Sequence, residues 1–168
     1  LGYNLNVPLP AGIGDVQFIQ MYRKALFGLV KAYDPHAVVL CVGADGLEGD
    51  ELISGSLGCD DATGEGWALS PEGLAECVRI AAALCAGRNE GEICVSPMEK
   101  QDDDSHVDIG KTEESKRGRR RKLLILGGGG YTPSQTARTY LLCSAAACEG
   151  ARPGMFWSEL PRDIPSHD

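Results

Sequence analysis

A chain of 168 residues, 43% of them hydrophobic, is long enough for one domain with a real core and too apolar for a disordered segment. Its net charge of −8 disfavours non-specific binding of nucleic acid or of an anionic membrane, and no apolar stretch is long enough to span a bilayer. Seven cysteines, an odd number with no CxxC pair, argue against a disulfide framework or a zinc finger and suit reduced core thiols in an intracellular protein.

In chain order, residues 5–9 (LNVPL) read as a short strand that Pro8 confines to an edge or an end. From Asp15 to Tyr33, apolar residues at Phe18, Met21, Tyr22, Ala25, Leu26, Leu29 and Val30 predict a helix with one face on a core. Asp34-Pro35 breaks it. Residues 37–42 (AVVLCV) are continuously apolar, as in a parallel strand buried on both faces. They run into a loop, 43–50, that carries an acid, Asp45, at the strand's carboxyl end.

Residues 52–67, rich in Gly, Ser and Asp, read as loop. Ser70-Pro71-Glu72 opens a second helix with an N-cap and a first-position proline, and Gly87 closes it. From Arg88 to about Lys122 periodicity is lost. An acidic block, Asp102-Asp103-Asp104, precedes a basic run at 116–122, which predicts a disordered insertion. Then come a short apolar run, 123–126, four glycines and Tyr131. Thr132 as N-cap and Pro133 at the first position start a third helix, with Gly150 past its end. The tail with Trp157, Pro161 and Pro165 reads as extended. Neither terminus looks natural: Leu1-Gly2-Tyr3 lacks Met and a signal-type start, and His167-Asp168 ends abruptly, so a fragment is expected.

Two strand–loop–helix units place Asp45 and Tyr131 at one edge of a parallel sheet, where ligands gather in open α/β folds. The glycines lack the Lys of a phosphate loop and the spacing of a dinucleotide fingerprint, and on pattern alone tight strand–helix packing explains them better than a phosphate cradle. A lone Asp at a strand end can cap a turn, and a catalytic zinc usually takes three protein ligands. His36 stands at the opposite edge, His106 in the insertion and His167 at the end, so the sequence holds no complete metal site. The basic run at 116–122 reads either as a nuclear-import signal or as a solvated loop balancing the acidic block.

In order and spacing, several motifs together resemble the zinc-dependent histone deacetylases, most closely the class I enzymes. They are Asn6-Val7-Pro8-Leu9 with Gly12 and Asp15, Asp34-Pro35 with Val38-Val39-Leu40, and Gly43-Ala44-Asp45 with Gly49-Asp50. Leu69-Ser70-Pro71-Glu72-Gly73 follows, then Leu126-Gly127-Gly128-Gly129-Gly130-Tyr131-Thr132 with Ala137-Arg138, and Leu160-Pro161 with Ile164-Pro165. The resemblance implies an α/β, arginase-like three-layer fold with a mostly parallel central sheet, of which this chain is the C-terminal half. Insertions are expected at 54–67 and 88–121.

The resemblance also implies roles: Asp45 as a zinc ligand, and Tyr131 as hydrogen-bond donor to the acetyl carbonyl and its oxyanion. Leu52, Gly129 and Gly130 would line the acyl-lysine tunnel, and the Tyr3 carbonyl would serve a monovalent cation site, for K+. Gln135 stands where the family usually has Asn, a change expected to touch local packing. The family's paired histidines and its Asp-x-His ligands are absent from this chain.

The function implied is zinc-dependent hydrolysis of N-acetyl-lysine in histones or other proteins by the parent enzyme, with this chain alone inactive. Acetylated histone tails and corepressor subunits are the expected partners, without direct nucleic-acid or membrane binding, in nucleus or cytoplasm. The alternatives are a polyamine deacetylase of the same fold and an inactive module that binds acetyl-lysine or scaffolds a corepressor complex.

Overall fold

The computed structural model describes residues 4–51, 67–93 and 118–154. Within them the order is α1 (Asp15–Tyr33), β1 (Ala37–Val42), α2 (Pro71–Cys85), a single 3₁₀ turn (Glu90–Glu92), β2 (Lys122–Gly127) and α3 (Pro133–Ala151). β1 and β2 form a two-stranded parallel sheet in register from Ala37↔Lys122 to Val42↔Gly127, with α2 in the crossover between them. The molecule is therefore α/β with a small parallel sheet.

α2 is the central element. Ser70 caps it, its Oγ accepting from Gly73 N at 3.0 Å and donating to Asp15 Oδ2 at 2.5 Å, which ties the start of α1 to the start of α2. Gly87, at φ +86°, ends the turn beyond it, as expected. Eleven of the fifteen residues of α2 are buried, so this helix is apolar around most of its circumference. It packs on α1 through Val30, Ile80, Ala83 and Leu84, and on α3 through Ala75, Val78, Cys143 and Ala146.

Five expectations are corrected. Residues 5–9 form no strand; the segment is exposed, and Pro8 and Pro10 withhold donors from any ladder. The face of α1 turned to the core carries Phe18, Ile19, Tyr22, Leu26, Phe27 and Val30, while Leu29 points outward at 39% exposure. Gly150 lies inside α3, not beyond it. A Cβ there would stand 2.9 Å from that of Ala82, so the glycine lets α3 lie close against α2. Both ends of the expected 88–121 insertion are ordered. Ile93 is fully buried, Gly118 N donates to Gly87 O and Arg121 N to Cys85 O. The remainder of that insertion, the loop at 52–66 and the tail with Trp157 lie outside the described residues.

β1 is also not buried on both faces. Val38, Leu40 and Val42 face the helices, whereas Val39 is 62% exposed and, beside it on β2, Leu124 is 54% exposed. Among the described residues, helices cover one side of the sheet only. The continuously apolar run at 37–42 thus leaves an apolar outer face bare.

Candidate functional site

The site lies at the carboxyl ends of β1 and β2, where the two loops interlock. Ala44 N donates to Gly129 O at 2.6 Å, prolonging the β1–β2 ladder past the strands. The backbones approach so closely that a Cβ on Gly128 would lie 2.7 Å from the Cα of Gly43. Gly130 adopts φ +142°, open to glycine and strained for other residues. Tight packing is therefore one real task of the four glycines.

Gly129 has a further one. Its Cα faces the Asp45 carboxylate, and a Cβ there would fall within 2.9 Å of even the farthest of that carboxylate's three outer atoms. The half-buried Asp45 side chain thus lies across the backbone of the loop that ends in Tyr131. Among the described residues no hydrogen bond or ion pair engages it.

Tyr131 follows Gly130 and is 45% exposed. Its backbone is fixed from the other loop. Buried Asp50 accepts through Oδ2 from Tyr131 N at 2.8 Å and from Thr132 N at 3.1 Å. These are orphan donors at the start of α3, where the helix dipole also favours a carboxylate. Thr132 is the N-cap by position, yet its side chain makes no capping bond; its Oγ1 accepts from Glu51 N at 3.2 Å. Gln135, in the first turn of α3, donates from Nε2 to Glu48 O at 2.8 Å and so joins the two loops.

Tyr140 completes the clamp. From the second turn of α3 its hydroxyl accepts from Gly128 N at 3.1 Å and reaches the carbonyls of Gly128 and Gly129 at 3.2 Å and of Val42 at 3.4 Å. Sequence reading assigned no task to Asp50 or Tyr140. Asp50 had a signal in the Gly49-Asp50 pair, whereas Tyr140 gave none, because its targets are backbone atoms distant in sequence.

Beside Asp45 lies an apolar cavity of about 210 Å³ between α1, α2 and the end of β1, lined by Phe18, Tyr22, Leu40, Trp67, Leu74 and Cys77 among others. Burial pushes the Tyr22 phenol and the Cys77 thiol up, so both stay protonated at neutral pH. His36 is at the amino end of β1, as expected, its carbonyl accepting from Lys122 N. Tyr3 and Leu52 lie outside the described residues.

The donor set bears on zinc. An unpaired carboxylate at the sheet's carboxyl edge suits one zinc bond, but no group of three His, Cys, Asp or Glu side chains converges among the described residues. These residues fit one ligand of a zinc site and not a whole one. Chemically, the edge brings together a free carboxylate, a half-exposed phenol and a rigid glycine floor.

Residues 1–96 match the histone deacetylase domain; the tetraglycine loop and α3 lie beyond the match. Histone deacetylase 6 of Arabidopsis thaliana is 40% identical over 78 residues, 46% of this chain and 14% of that protein. Histone deacetylase 1 of Oryza sativa subsp. japonica is 40% identical over 78 residues, 13% of its length. Histone deacetylase B of Dictyostelium discoideum is 36% identical over 78 residues, 16% of its length. The matched stretch thus spans about one-seventh of these relatives. With more than half of its residues matched, the chain belongs to the histone deacetylase domain family.

Proposed function

We propose that this chain supplies part of the catalytic site of a zinc-dependent deacetylase of arginase-like fold that hydrolyses N-acetyl-lysine in histones or other proteins. Asp45 is one metal ligand; the remaining ligands and the general base come from polypeptide other than the described residues. Two structural features support this. The Asp45 carboxylate has no hydrogen-bond or ion-pair partner among the described residues, and the bare outer face of Val39, Leu124 and Leu126 is apolar surface that a larger sheet domain would cover. On this reading the chain alone is inactive.

The observation that carries the proposal is the Asp45 carboxylate lying against Gly129 in the loop that delivers Tyr131. The chemistry a zinc ion supplies when bound is Lewis acidity toward the amide carbonyl and toward water. The chain's own contribution is positional. Tyr131 donates its phenolic hydrogen bond to the acetyl carbonyl oxygen and holds it as negative charge develops there. Asp50 and Tyr140 keep the backbone bearing that phenol from shifting. Gly129 and Gly130, lacking side chains, leave room for an extended acyl-lysine, with Leu52 on its flank; the Tyr3 carbonyl serves a monovalent cation.

Acetylated histone tails and corepressor subunits are the partners proposed, in nucleus or cytoplasm. Within the basic run, Arg119 and Arg121 pair with Asp34 at 2.6 and 2.8 Å, so any import signal rests on its other residues.

The test uses the native protein with acetyl-lysine peptides and acetylated polyamines. Tyr131→Phe is expected to lower the deacetylation rate about 10²–10³-fold, the usual effect of losing one oxyanion donor, and Asp45→Asn to lower zinc content. Peptide binding without turnover in the unaltered protein would replace the enzyme with an acetyl-lysine-binding module. Preference for the polyamine would replace the substrate class.

A further inference from the structure

At the opposite end of the sheet the C-terminal ends of α2 and α3 meet the start of β2 around an open cavity of about 430 Å³. Its floor is apolar, from Ala82, Leu123, Ile125 and Ala147. Its rim carries Arg120, Arg121 and Arg152, with no acidic residue among the lining. The volume falls in the usual range for small-molecule sites, about 300–1,000 Å³.

Helix dipoles favour cations at such a place, but the helix-end carbonyls are already served by other groups. Arg121 N takes Cys85 O at 2.7 Å, Arg152 N takes Cys148 O at 2.9 Å, and the Arg88 side chain takes Gly150 O at 3.4 Å. Among the described residues, the Asp34 carboxylate is shared by Arg119 and Arg121. Among the described residues the guanidinium groups of Arg120 and Arg152 have no carboxylate partner.

The Arg121 side chain is only 10% exposed, and its buried Nε–H has no acceptor in the structure. That Nε is closed to solvent and the guanidinium already pairs with Asp34, so a ligand in the cavity meets the exposed guanidinium groups of Arg120 and Arg152 instead. We infer that this cavity binds a small amphipathic carboxylate, its charged end held by Arg120 and Arg152 and its aliphatic body laid on Leu123, Ile125 and Ala147. Guanidinium groups match a carboxylate in shape as well as charge, and the apolar floor distinguishes this ligand from a bare anion.

The test titrates octanoate, and separately inorganic phosphate, into the native protein by calorimetry. Arg120→Gln and Arg152→Gln are the variants, because both side chains are exposed and neither supports a described ion pair. The expected result is one octanoate site, weakened roughly tenfold by each variant, with thermal unfolding unchanged and much weaker phosphate binding. Absence of octanoate binding overturns the inference. So does octanoate binding that survives both variants, which would place it on the bare sheet face. Phosphate binding as tight as octanoate overturns the ligand class.

Discussion

Replacing Tyr140 by phenylalanine removes one oxygen and leaves the ring packing in place. That oxygen accepts from Gly128 N and has three carbonyls within 3.4 Å, but its single proton serves one of them at a time. The loss is therefore one accepted and one donated hydrogen bond, each contributing about 0.5–1.5 kcal/mol net. Gly128 is open to solvent, so water recovers part of this, and about 1–2 kcal/mol is expected. A change of that size raises the open population of the loop about 5–30-fold. Amide exchange at Gly128 in the native protein measures it, with the buried amides of α2 as internal reference. Unchanged exchange at Gly128 would refute the clamp. An equal rise at Gly128 and in α2 would refute its local character and show a general loss of stability instead.

Three other outcomes are expected. Asp50→Ala strands two backbone donors at the start of α3 and should cost about 2–4 kcal/mol in denaturant unfolding, with Asp50→Asn losing less because it keeps an acceptor oxygen. Gly129→Ala puts a methyl group where the Asp45 carboxylate lies; on the proposed function, zinc affinity should fall about 10–100-fold by metal titration while the unfolding midpoint barely moves. Exposed Cys41 and Cys148 should react with a maleimide at neutral pH, and buried Cys77, Cys85 and Cys143 should not. Burial pushes the Cys143 thiol up to about 11 from 9.0, so the native state holds its proton where the unfolded chain has lost it. That contribution to stability is present below pH 9 and disappears as pH rises through about 11, which unfolding at stepped alkaline pH measures.

Much of this molecule was legible in its residues. The bounds of α1 and β1, the Ser70 cap with Pro71, and the strand–glycine–helix order around Tyr131 follow from local rules: periodicity of apolar positions, proline at the first helical position, glycine where a side chain would obstruct. Because the strands run parallel, that order alone put Asp45 and Tyr131 at one edge, and the register Val42↔Gly127 bears it out. The same rules failed where the outcome depended on partners. Residues 5–9 have a strand's composition but find no ladder among the described residues, and the apolar run of β1 is covered on one side only.

Tertiary structure alone decided how the edge is held together. Asp50 reaches 81 residues along the chain to Tyr131 N, and the Tyr140 hydroxyl reaches 98 residues back to Val42 O. A side chain bonding to distant backbone leaves no periodicity and no motif, since any residue at the far end presents the same N–H and C=O. The sequence by itself thus determined which elements form and which residue types stand at their ends. The fold decided which of them touch, because contact follows from how α2 draws α1, α3 and both strands around one buried helix.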